Sequence, residues 1–340
     1  MLNYTFWALA VLLSSLAQCA EPGSPAVEPP EKEAIVAAHG FVERTIDADG
    51  ATVHFYQHGG TGGDVGRLVV YLQGSNPSPQ FFWREDDGAA RPMSWIPRDY
   101  DRLRNGDVYV VIEKPGFEGV FPEEIEEVPA AYHRANSLDD RVMRADRVID
   151  LLVAETPFDK VVVYGHSEGA PVAAKLATVN PHITHVGFWA GSALSDFFDF
   201  ALEARLAAHK GEATFEEAQG EIDAAIGYFA EVIANDRAGT DVDDFGYTHK
   251  RWFSYAEPPI NHLVRIDVPL FVQVATRDES APIESTYMIP LEFARLGKTN
   301  LEYRVCLGCD HGFFVTGEGG VRERKWPQIF SDFMVWVDEN

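Results

Sequence analysis

The 340-residue sequence predicts an α/β fold: a mostly parallel central sheet flanked by helices and interrupted by a helical cap insertion. Three observations carry that prediction. Short apolar runs of strand length recur at 68–72, 108–112, 161–164 and 186–189, and unbroken runs of this kind suit strands buried on both faces. Between them, Val142, Ala145, Val148, Ile149 and Leu152 recur at helical spacing within 138–153. One long stretch, 192–262, has helical patterns at 197–209 and 215–233 with no strand between them. The composition agrees, since 46% hydrophobic and 12% aromatic residues supply more apolar surface than a disordered chain carries. With 53 Asp+Glu against 28 Lys+Arg, the net charge of -25 counts against nucleic acid and against an anionic membrane face.

Residues 1–20 contain no charged side chain, and the apolar run at 6–13 is followed by Ser14, Ser15 and small residues near Ala17 and Ala20. That pattern predicts a signal peptide and export to a periplasmic or extracellular location. Leu16-Ala17-Gln18-Cys19 also resembles a bacterial lipoprotein box, in which Cys19 would be lipidated and anchor the chain to a membrane. The stretch 21–39 begins Pro- and Glu-rich, with Pro22, Pro25, Pro29 and Pro30, and is expected to be a linker. The globular part then divides into a core of 40–191 and 263–340 and a cap of 192–262. Within the core, runs at 41–46 and 52–56 flank Asp49-Gly50, a pair suited to the positive φ angles of a hairpin turn. Further strands are expected at 270–275 and 301–305, and a closing helix at 328–337.

Gly165-His166-Ser167-Glu168-Gly169 stands directly between a predicted strand and a predicted helix at 170–178. A strand that reverses into a helix this quickly forces its central residue into a strained backbone, and the flanking glycines remove Cβ clashes. Ser167 Oγ is thereby exposed at the carboxyl end of the sheet, while the N–H of Glu168 faces a developing oxyanion at a helix start. A serine needs a histidine to take its proton and a carboxylate to orient that histidine. Asp278 and His311 each follow a predicted strand end, in that order. Glu279 and Asp310 are the rival carboxylates.

This order of Ser167, Asp278 and His311, each at a strand end, resembles the α/β-hydrolase superfamily over nearly the whole chain after the linker. The resemblance implies a second oxyanion donor in Leu72-Gln73-Gly74-Ser75, from the N–H of Ser75 or of its neighbour Gly74. Many members have His-Gly where this chain has Gln73-Gly74. It further implies that Lys114-Pro115-Gly116-Phe117 lines an acyl pocket. Gln73 and Phe117 are accordingly expected substrate-binding residues. The aromatics of the insertion, Phe197 and Trp252 among them, either roof the pocket as further substrate-binding residues or only pack the cap onto the sheet. Arg251 and Lys250 either receive a substrate carboxylate or pair with Asp241, Asp243 or Asp244. The Glu168 side chain is expected to be a solvent-facing carboxylate at its helix start, with contact to substrate the alternative.

Of the three cysteines, Cys306 and Cys309 remain if Cys19 is removed or lipidated. In an oxidising compartment they are expected to form a local disulfide, with two free thiols the alternative. No metal site is expected, because His182 and His185 lack a third ligand nearby, and no cofactor is implied. The expected function is an exported serine hydrolase acting on a small-molecule or peptide acyl substrate, a carboxylic ester first. A peptidase resembling the prolyl oligopeptidase or proline iminopeptidase relatives is the first alternative. A non-catalytic binding protein of the same fold is the second.

Overall fold

The computed structural model describes residues 27–60, 66–235 and 237–340. The expected signal peptide, Cys19 and the first part of the expected linker lie outside the described residues. An eight-stranded sheet organises the remainder: β1 (Phe41–Ala48), β2 (Ala51–Gly59), β3 (Arg67–Leu72), β4 (Val108–Ile112), β5 (Lys160–His166), β6 (His185–Trp189), β7 (Leu270–Ala275) and β8 (Leu301–Cys306). Their spatial order is β1-β2-β4-β3-β5-β6-β7-β8, and only β2 runs antiparallel to its neighbours. The β1–β2 turn has Asp49 at φ 49° and Gly50 at φ 83°, as the dipeptide predicts.

The unbroken apolar runs are explained by what lies on each face of the sheet. Side chains alternate across a strand, so Leu68, Val70 and Leu72 of β3 enter one apolar layer while Val69 and Tyr71 enter the other. β5 divides in the same way, Val161 and Val163 against Val162 and Tyr164. Helix α1 (Leu138–Glu155) covers the first layer with Val142, Ala145, Val148, Ile149 and Leu152, and begins at Ser137, whose Oγ accepts the Asp140 N–H at 3.2 Å. Helix α2 (Gly169–Leu176) follows β5 on the same side.

Between β6 and β7 lies the insertion, with helices α3 (Asp196–Lys210), α4 (Phe215–Ala234) and α5 (His249–Ser254). Gly211, at φ 78°, ends α3, and Thr214 with Glu217 forms a reciprocal cap at the start of α4. The closing helix α6 (Trp326–Glu339) packs Phe330, Phe333 and Val337 into the second layer.

Two parts depart from the sequence reading. Residues Lys32–Ala38, expected to be linker, form a helix because Ile35 and Val36 are buried in the second layer with Phe41 and Phe81. A hairpin of Phe81–Asp86 and Ala89–Ser94, unanticipated in the sequence, turns at Asp87-Gly88. Among the described residues no helix is long and apolar enough to cross a membrane.

Candidate active site

Ser167 sits at the turn from β5 into α2 with φ 58°, a left-handed backbone held by its N–H donating to the Trp189 carbonyl at 3.0 Å. The flanking glycines are required sterically. A Cβ on Gly165 would lie 1.9 Å from the Gly169 carbonyl oxygen, and one on Gly169 would lie 1.9 Å from that of Leu72. The end of β3 therefore touches the start of α2 backbone to backbone, and the loop after β3 lies over Ser167. A Cβ on Gly74 would sit 3.2 Å from Ser167 Cβ and 3.6 Å from its Oγ.

Asp278, just past β7, is buried, and its Oδ1 accepts the N–H groups of Ser280 at 2.9 Å and Ala281 at 2.8 Å. Both of its oxygens lie 2.9 Å from His311 Nδ1. A carboxylate there selects the tautomer with a proton on Nδ1 and leaves Nε2 as the base. Ser167 and His311 line the same cavities without a hydrogen bond between them, and such bonds tighten when substrate binds. The rival carboxylates are engaged elsewhere: Glu279 faces Lys210 at 3.4 Å, and Asp310 binds Arg322 and the N–H groups of Gly312 and Phe314.

His166, inside the elbow, is neutral. Burial and the neighbouring His311 push its pKa down to about 3, and its Nε2–H donates to the His311 carbonyl at 2.8 Å. The histidine loop is thus tied to the elbow through the main chain. Cys306 and Cys309 are joined by a disulfide with a Cα–Cα separation of 5.5 Å. Their carbonyls accept the N–H groups of Thr276 and Arg277, so this link stitches the histidine loop to the segment that leads into Asp278.

Glu168 is not solvent-facing as the sequence reading expected. It is buried, and Arg141 donates to its Oε1 at 2.8 Å while Arg251 donates to its Oε2 at 2.6 Å. Burial alone would raise its pKa, but the charges of Arg251, Arg141 and Lys114 outweigh that effect and hold it lowered. Arg251 also reaches Asp196 at 2.6 Å and lies over the rings of Tyr247, Trp252 and Tyr255, so it pairs with none of the three expected aspartates. Lys250 donates to the Arg134 carbonyl. These two cations are accordingly occupied by the protein itself.

Two cavities meet at Ser167, Ser75 and His311. One, of about 220 Å³, lies under the cap and is lined by Phe200, Tyr247, Trp252 and Asp199 among others. The other, of about 270 Å³, lies on the hairpin side and includes Tyr71, Gln73, Trp95 and Lys114. Trp252 thus lines the first cavity and Gln73 the second, where the Gln73 amide donates to the Ile112 carbonyl at 2.7 Å.

Phe117 and Phe197 do not line either cavity. Phe117 is fully buried against Phe121 and Tyr132, and Phe197 packs within the cap on Phe229 and Trp252. Their rings make core contacts that the sequence could not distinguish from pocket contacts. The reading missed Asp199, whose pKa burial pushes up to about 8. Asp199 stands next to Phe200 of the cavity wall in the sequence, yet no local motif marks it. Lys114 of the expected pocket loop does line the second cavity, and its pKa is pushed down to about 7 by burial and then by Arg141.

The profile of the Alpha/beta hydrolase family matches residues 58–323. The chain belongs to the alpha/beta hydrolase family. No curated protein matches it. Among solved structures, this hydrolase is similar to the acylaminoacyl peptidase of Pyrococcus horikoshii, with a TM-score of 0.55 and 11% identity over 88% of this chain. It spans 42% of that protein's length. Est1E from Butyrivibrio proteoclasticus gives a TM-score of 0.52 and 10% identity, covering 88% of this chain and 99% of the other. Identities this low establish the shared fold and nothing finer.

Proposed function

We propose that this hydrolase is an exported serine hydrolase that cleaves a carboxylic ester through an acyl-enzyme on Ser167. The observation that carries the reading is the placement of Ser167, on a strained strand-to-helix turn, in the same cavities as a histidine whose Nδ1 is held by a buried carboxylate. In the first half-reaction His311 Nε2 takes the Ser167 proton as Oγ attacks the acyl carbon, then returns that proton to the departing alkoxide. Water repeats the sequence in the second half-reaction and releases the acid. Proton transfer contributes about 10²–10⁴-fold and an oxyanion donor about 10²–10³-fold. Among the described residues the N–H groups of Glu168 and Ser75 donate to no protein acceptor, which suits them to that oxyanion. Export is supported by the uncharged apolar N-terminus, and an oxidising location by the Cys306–Cys309 link.

The deciding experiment uses purified mature protein and a panel of acyl esters and aminoacyl amides, with fluorophosphonate labelling in parallel. Turnover of esters that disappears with labelling in Ser167→Ala supports the proposal. Turnover of amides alone transfers it to the peptidase reading, and no turnover with no labelling leaves a binding protein.

A further inference from the structure

We propose that Arg141 and Lys114 are positioning residues that aim the oxyanion donors of the loop after β3, an inference that rests on the acyl-transfer reading above. The donors come from segments far apart in the chain, Glu168 after β5 and Gly74 or Ser75 after β3. One guanidinium joins them. Arg141, on α1, donates through Nη1 to Glu168 Oε1 at 2.8 Å and through Nη2 to the Gln73 carbonyl. Lys114, just past β4, is buried and donates through Nζ to the Gly74 carbonyl at 2.7 Å and to the Asn76 carbonyl.

These carbonyl contacts set the direction of the donors. A peptide unit is planar and trans, so its C=O and N–H point opposite ways. With the Gln73 carbonyl held by Arg141, the N–H of Gly74 points away from that cation. With the Gly74 carbonyl held by Lys114, the N–H of Ser75 is fixed in the same manner. Gly74 approaches Ser167 so closely that a Cβ there would be 3.6 Å from Oγ. Neither side chain needs to touch substrate to act. Each holds a dipole in place before charge develops, which is where such stabilisation originates. Arg141 also suits the task because a planar fork can hold two acceptors in fixed directions, whereas an ammonium acts as a point charge.

The test compares wild type, Arg141→Met, Arg141→Lys and Lys114→Met on one activated ester, with active sites counted by fluorophosphonate titration. A trifluoromethyl ketone serves as the transition-state probe. Arg141→Met and Lys114→Met are expected to lower kcat per titrated site by about 10–10²-fold, below the loss from deleting a donor, with KM changed less than about threefold. Ketone affinity should fall in proportion to kcat, and Arg141→Lys should lie between wild type and Arg141→Met.

A variant that merely misfolds loses titratable sites but keeps kcat per site, and that result overturns the proposal. Unchanged ketone affinity in the folded variants overturns it as well. Should Arg141→Met yield no folded protein, Arg141→Lys and Lys114→Met carry the same comparison. A wild-type protein whose turnover does not depend on Ser167 overturns the underlying reading instead, which separates the two failures.

Discussion

The sheet and the cap enclose one cavity from opposite sides, but they are built differently. Every residue of β3, β4, β6 and β7 is buried, and the side chains feed two continuous apolar layers. The cap has no such interior. Its longest helix, α4, runs for 20 residues yet buries only Ala218 and Val232, while Phe215 and Ile226 are exposed. Its own core is a small aromatic cluster around Phe197, Val232 and Trp252. Elements with few buried contacts open at lower free energy than a packed sheet, so the cap is the part suited to admitting substrate. Ser167, Asp278 and His311 follow strands of the sheet, and Phe200, Tyr247 and Trp252 come from the cap. Reactivity and selectivity are thereby carried by parts of different stiffness.

The largest effect should come from the sheet side. Ser167→Ala is expected to bring ester turnover down to background while the thermal midpoint stays put, as checked by calorimetry on the purified variant. Asp278→Asn should lower kcat by about 10⁴-fold, because an amide favours the wrong histidine tautomer. An active Asp278→Asn beside an inactive Glu279→Gln would move the acid's role to the next residue.

Stability should divide along the same line. Phe330→Ala empties a buried site in the second layer and is expected to cost about 3–5 kcal/mol in denaturant unfolding. Phe200→Ala, in the cap wall, should shift the ranking of acyl esters with little change in global stability. An equal loss of stability from the two would show that cap and sheet unfold as one unit.

A smaller effect concerns Glu113, which follows β4 and is buried. Burial raises its pKa to about 7, against the opposing hydrogen bonds from Gln80, Lys114 and Tyr56. The folded state therefore holds a proton that the unfolded state releases above its ordinary value of 4.5. The stability from this group is complete below 4.5 and is lost as pH rises through about 7. Glu113→Gln should flatten that decline between pH 4.5 and 8 in urea unfolding, and an unchanged slope would assign it to other groups.

The smallest change in melting temperature is expected from Cys306→Ser with Cys309→Ser, since closing so short a loop gains little chain entropy. Turnover should fall more than the midpoint, because the link steadies the loop that presents His311. Two free thiols in natively exported protein would defeat this expectation.

The sheet was legible in the sequence because strands buried on both faces write themselves as unbroken apolar runs. Ser167 and Asp278 were legible as candidates because each stands a few residues past such a run, and His311 because it follows the edge strand β8, where Leu301, Tyr303 and Val305 alternate with Glu302 and Arg304. The hairpin at 81–94 was not, although Asp87-Gly88 has the same turn chemistry as Asp49-Gly50. Arg84, Glu85 and Asp86 hide the alternation of its first strand, and Pro92 sits in its second, a residue tolerated where strands form sheet edges. Phe117 and Phe197 were placed in the pocket because an aromatic residue shows its type in a sequence but not the direction of its ring. Arg141 carries no signal in the sequence, and Lys114 was read only as part of a pocket loop, not as a partner of the loop after β3. Their acceptors are main-chain carbonyls 68 and 40 residues away, a relation that only the folded chain creates.

The contact between α2 and the end of β3 sets limits on how this protein can change. Gly165 and Gly169 admit no side chain at all, since even a methyl group would overlap a carbonyl oxygen at 1.9 Å. Those two positions are closed to variation by geometry, whatever the substrate. The cap wall is under no such restriction, for Phe200 is only half-buried and its ring meets others at ordinary contact distance. Substitutions that accumulate in the roof can therefore reshape the cavity of this hydrolase while the spacing between Ser167 and the loop after β3 is inherited intact.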